Sequence, residues 1–139
     1  LVAVASADEP MARIEGGTYS RPLEKGGATR QVASFFLDVR QVTNAEYLEF
    51  VTAHPEWRRS QVNSLFADSS YLCHWAGDTE LGLLAAPDSP VTNVSWFAAR
   101  AFLKAQGKRL PTLDEWEFVA RADERQIDAT GDPEFRKRI

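Results

Sequence analysis

PVTNVSWFAARAFLKAQGKRLPTLDEWEFVARA, residues 90–122, lays out two helices around a glycine stop. Ser95 is an N-cap residue type, and Trp96, Ala99, Phe102 and Leu103 recur after it at helical spacing. Gly107 stands where helices commonly close with a left-handed residue, a conformation in which glycine has no Cβ to clash. Thr112 and Glu115 then form a capping-box pair, opening a second helix expected to turn Trp116, Val119 and Ala120 inward.

Upstream, Thr43 and Glu46 repeat the capping box, with Tyr47, Leu48 and Val51 as the buried stripe and Pro55 as the limit of the helix. Gln31–Val39 reads as one apolar strand, Met11–Tyr19 as a strand with a bulge at Gly16-Gly17, and Leu23–Thr29 as a turn. Glu56–Ala86 shows no period, which marks a functional loop or one held by its own packing. Asp132-Pro133 has the chemistry to start one more helix. The sum is an α+β pattern with little regular secondary structure. Val42-Thr43-Asn44 and Val91-Thr92-Asn93 echo each other, and are expected to be two independent strand-to-helix junctions with one cap chemistry.

The 139 residues amount to one domain's worth of chain, and 44% apolar with 26% charged excludes a disordered tail or a collagen-like repeat. A net charge of −4 gives no basic surface, so no nucleic-acid partner is expected, and the short basic runs Arg58-Arg59 and Arg136-Lys137-Arg138 read as solvated helix ends. No apolar run approaches the roughly 20 residues of a membrane span. Leu1–Ala7 ends in an A-x-A-like cleavage site, Ala5-Ser6-Ala7, and reads as a signal-peptide remnant or flexible terminus ahead of residues 8–139. The expected location is periplasmic or secreted. There, a lone Cys73 is buried, reactive or paired with another chain, and a buried inert thiol is the favoured reading.

Phosphate loops, dinucleotide fingerprints, zincin helices and hydrolase elbows have no sequence support. His74 beside Cys73 lacks an evident third ligand, so no metal site is assigned to this chain, and Cys73 is not assigned as a catalytic nucleophile, because His54 could serve as its base only by folding back. Asp114, Glu115 and Glu117 suit the helix dipole, with Lys108 or Arg109 as available partners. Trp96 and Trp116 read as core. Trp75 divides evenly between core and cleft wall.

Three ordered segments carry a resemblance: MARIEGGTY (11–19), VRQVTNAEYLEFV (39–51) and residues 90–122, with Gly107-Lys108-Arg109-Leu110-Pro111-Thr112 before Glu115-Trp116-Glu117 as the most specific element. Together with Tyr71–Asp78 (YLCHWAGD), they resemble the formylglycine-generating enzyme, or sulfatase-modifying factor, family. The resemblance implies a C-type-lectin-like fold that is incomplete in this chain, which corresponds to the first half of the domain. It further implies oxidative maturation of a protein or small-molecule substrate, with copper held by a cysteine pair in a complementary C-terminal half. This chain alone is then expected to be inactive, supplying scaffold and one wall of the substrate cleft, with Trp75 and His74 as candidates by position. The alternative from a different class is a non-catalytic lectin-like binding or assembly module of the same fold.

Overall fold

Capping and stop signals act locally, and they are where sequence and structure agree most closely. The computed structural model describes residues 11–21, 29–123 and 125–137. Leu1–Ala7 and most of the expected turn at Leu23–Thr29 lie outside them; Thr29 itself begins a strand. The architecture is mixed α/β. Among the described residues, four short strands, β1 (Met11–Ile14), β2 (Gly17–Ser20), β3 (Thr29–Val32) and β4 (Phe35–Asp38), form two two-stranded sheets, β1 with β4 and β2 with β3. The helices are α1 (Asn44–Ala53), α2 (Trp96–Ala105), α3 (Leu113–Ala120) and the short α4 (Pro133–Arg136). Two compact units arise: residues 11–12 with Phe36–Leu110, and Arg13–Phe35 with residues 111–137.

In the first unit, α1 begins with the expected box. Thr43 Oγ1 accepts from the Glu46 backbone N–H, and Glu46 returns a carboxylate oxygen to the Thr43 N–H at 2.7 Å. Ser95 likewise accepts from the Ala98 N–H, and α2 closes on Gly107 at φ +68°. There the Lys108 N–H reaches Leu103 O and the Gly107 N–H reaches Lys104 O, the two bonds that define a Schellman stop. Tyr47, Phe50 and Val51 of α1 meet Ala98, Phe102 and Leu103 of α2 in one core. The ring of Tyr47 lies 5.3 Å from Phe102 and 5.4 Å from Phe50. Residues 58–95 carry no regular element, yet Ala67, Tyr71, Leu72, Trp75 and Ala85 from this segment fill the same core. Its own packing holds it.

Several expectations are corrected here. Trp96 is 57% exposed, because side chains lean toward the helix N-terminus and a residue in the first turn projects past the core. Arg58 and Arg59 are not solvated helix ends. Arg58 donates to the Val51 and Thr52 carbonyls at the end of α1, and Arg59 Nη1 donates to Trp75 O at 2.8 Å. Lys108 pairs with Asp38, both side chains nearly out of water, rather than with the acids of α3. The two Val-Thr-Asn segments are not independent: the Val91 N–H donates to Val42 O and Thr43 bridges Pro90. Nor do they share cap chemistry. Thr43 is the cap of α1, whereas α2 is capped by Ser95 and Asn93 is a left-handed loop residue.

The second unit builds on β2 and β3, antiparallel with Tyr19 opposite Arg30 and Gly17 opposite Val32. The apolar run expected as one strand from Gln31 is split at Ala33-Ser34, which separates β3 from β4. The bulge expected at Gly16-Gly17 is a break between β1 and β2. A Cβ on Gly16 would lie 2.3 Å from Val32 O, so only glycine permits that approach. Helix α3 packs on the face bearing Gly17 and Tyr19, with Phe118 edge-on to Tyr19 at 6.0 Å. Its buried residues are Glu115 and Phe118, so the inward face is rotated by one residue, about 100°, from the expected one. Trp116 is left 56% exposed and Ala120 is exposed. Asp132 caps α4 with proline at its first turn, as its sequence implied.

Candidate functional site

Trp75 and His74 are adjacent in sequence and part company in space. Trp75 is 2% exposed, edge-on to Tyr47, and its indole N–H donates to Asn44 Oδ1 at 3.0 Å. It takes the core alternative of its two readings and presents no face to a cleft. Asn44 is itself buried, and its amide donates to Ala86 O at 3.0 Å and Ser89 O at 3.1 Å. Close by, the Tyr71 hydroxyl donates to Trp57 O, so the single proton of Tyr47 must be the one shared between the two phenols, 3.0 Å apart. Burial raises both phenols, Tyr71 to about 12.

His74 belongs to a different corner. Leu72 (φ 48°) and Asn93 (φ 52°) are both left-handed and are joined by the Leu72 N–H to Asn93 O bond at 2.9 Å. A left-handed leucine is uncommon and persists only where its surroundings enforce it. The twist buries Tyr71, Leu72 and Trp75 while turning Cys73 outward. The Asn93 amide donates to Cys73 Sγ at 3.3 Å and lies 3.5 Å from His74 Nδ1. Beside it, a polar hollow of about 100 Å³ is lined by Asp68, Ser70, Tyr71, Asn93, Val94 and Ser95. The exposed thiol overturns the favoured reading of Cys73 as buried and inert.

Burial pushes the His74 imidazole below its ordinary value, and its Nε2 is enclosed with no hydrogen-bond partner among the described residues. Between its folded value and the ordinary 6.5, the unfolded chain therefore binds more protons than the native one. Stability should fall as pH drops below about 6.5. Asp68 and Asp78, held low by the Ser70 and Ser60 hydroxyls, titrate well below that window. Urea midpoints measured from pH 7.5 to 5 should show this slope, and His74→Gln should flatten it. An unchanged slope in the variant would remove His74 as the cause.

The second unit holds a cluster that sequence reasoning missed. Arg21 donates to Asp114 at 2.7 Å and to Glu117 at 2.8 Å, and the Tyr19 hydroxyl lies 2.8 and 2.7 Å from the same two carboxylates. Burial and the paired acids raise the Tyr19 phenol to about 12, and its hydrogen bond, with that of Arg21, keeps Glu117 below the usual carboxylate range. The arrangement fastens the β2 edge to α3. The signal available in the sequence was the i, i+3 spacing of Asp114 and Glu117; nothing local marked Arg21 as their partner. An open groove of about 600 Å³ also lies in this unit, lined by residues that include Ile14, Gly16, Gly17, Phe118, Arg121 and Ile127. A third recess, small and polar, lies in the first unit and is lined by residues that include Asp38, Glu46 and Lys108.

The sulfatase-modifying factor enzyme 1-like domain matches residues 3–137. The chain belongs to this family. Among similar proteins, the inactive C-alpha-formylglycine-generating enzyme 2 of Bos taurus is 34% identical over 141 residues, covering 81% of this chain and 47% of that protein. The formylglycine-generating enzyme of Streptomyces coelicolor is 30% identical over 118 residues, 67% of this chain and 38% of its own. The serine/threonine-protein kinase pkn1 of Chlamydia pneumoniae is 32% identical over 120 residues, 79% of this chain and 19% of its own. The chain spans less than half the length of each of these relatives. Copper, which the sulfatase-modifying-factor resemblance brings with it, does not fit the donors present. Cys73 is the one thiol in the sequence, its sulfur faces the Asn93 amide, and no three His, Cys, Asp or Glu side chains among the described residues gather to hold a metal. No helix among the described residues is long and apolar enough to cross a membrane.

Proposed function

We propose that this chain is the first half of an exported sulfatase-modifying-factor-type domain of C-type-lectin-like fold, and that it scaffolds an oxidative maturation reaction. The observation that carries the reading is a family match over residues 3–137 in a chain that covers 47% of its Bos taurus relative. The low content of regular structure, with two two-stranded sheets, supports the lectin-like assignment. The reacting groups, including the thiolates for copper, would come from the complementary C-terminal half, and the substrate is a protein or a small molecule. His74 is the remaining cleft candidate, on the corner beside Cys73 and Asn93. The non-catalytic alternative draws support from the word "inactive" in the names of the Bos taurus and Mus musculus relatives.

Intact mass of the protein purified from its own host, with sequencing of whatever accompanies or continues it, tests the reading. The expected result is a second half, contiguous or co-purifying, that carries a cysteine pair and, loaded with copper and supplied with oxygen as the oxidant, oxidises a cysteine-containing peptide. A second half without the pair would support the binding module. A native particle consisting of this chain alone would overturn both.

A further inference from the structure

We infer that the aromatic run Trp57–Phe66–Phe97–Trp96 is the surface on which the complementary half of the domain seats. This rests on the reading that such a half exists. The rings form a continuous chain in the first unit, with centroids 6.1, 5.3 and 5.3 Å apart, and the Arg100 guanidinium lies 5.4 Å over Trp96. Trp96, Phe97 and Phe66 are 57%, 45% and 43% exposed. A connected exposed aromatic face is unlike the scattered apolar residues of an ordinary surface, and aromatics with arginine dominate the energetics of protein interfaces. Its base is rigid: Trp96 and Phe97 occupy the first turn of α2, capped by Ser95 and anchored by buried Ala98, Ala99 and Phe102.

The occupant follows from the relatives. Two of them, in Bos taurus and Mus musculus, are about twice the length that this chain covers, 47% and 48%. A domain that continues for as long again has the chain needed to cover such a face, whereas a second copy would leave that length unaccounted for.

The test is photo-crosslinking in the native protein, with benzoylphenylalanine placed at position 66 or 97 and the linked peptides read by mass spectrometry beside an intact-mass measurement. Links to peptides of the second half, whether of the same chain or a separate one, are the expected result. Links to another copy of residues 1–139, or no link while intact mass shows the second half present, would overturn the assignment and leave the proposed function standing. Absence of any second half by mass would overturn both, and the mass alone distinguishes that case. Where the halves are separate chains, Phe97→Lys should weaken their association at least 10-fold, while Leu83→Lys, at a still more exposed apolar position outside the run, should leave it unchanged. Equal effects would count against the assignment.

Discussion

Replacing Trp75 with alanine should destabilise the first unit by about 3–5 kcal/mol, the usual cost of emptying a large aromatic site. The indole is 2% exposed, meets Tyr47 edge-on and sits in a core with Phe102 and Leu103. The vacancy cannot collapse easily, since Tyr47 is tied to Tyr71 and Tyr71 to Trp57 O. Against a typical total stability of about 5–15 kcal/mol, the change is a large fraction. Urea denaturation of the native protein, following the midpoint and soluble yield, reads it directly. Trp75→Phe should recover part of the loss, because it restores ring volume and leaves the N–H bond to Asn44 unmade. An unchanged midpoint in Trp75→Ala with weakened substrate binding would instead return this residue to a cleft wall.

Asn44→Asp should be comparably severe, for an electrostatic reason. The amide presents two N–H donors to Ala86 O and Ser89 O and one oxygen to the Trp75 indole, a full match of donors to acceptors. A carboxylate there keeps the acceptor and turns a second negative oxygen toward two carbonyls in a buried site, at a cost of several kcal/mol. Asn44→Ala should cost less, about 3 kcal/mol, since both carbonyls keep a backbone N–H, from Ser89 and from Asn44 itself. The expected order is therefore wild type, then Ala, then Asp at pH 7, with the Asp variant recovering relative to Ala as acid neutralises it. The reverse order in urea midpoints would show that the amide donors are dispensable.

The contrast between these two residues and the helix caps explains what could be read in advance. Thr43 with Glu46, Thr112 with Glu115, and Gly107 act within a few positions of chain, so their chemistry is fully present in the sequence. Asn44 meets a loop more than 40 positions away, Lys108 meets Asp38 across 70, and Arg21 meets Glu117 across 96; no local pattern encodes such partners. Periodicity also misjudged faces where a polar residue is the buried one. Glu115 turned inward by its box carries Phe118 in with it and leaves Trp116 outside. At the candidate corner, sequence singled out Cys73 and His74 but not Asn93, whose left-handed backbone and two side-chain neighbours define it.

The bond from Val91 to Val42, the Thr43–Pro90 bridge and the Asn44 amide together act as a buckle closing a long excursion of chain. Such a closure is entropically expensive to form, so this unit is expected to fold more slowly than one built from local contacts alone. Once fastened, it also makes the backbone redundant at the excursion's outer turns: a protease nick there would leave both pieces interlocked until denaturant released them.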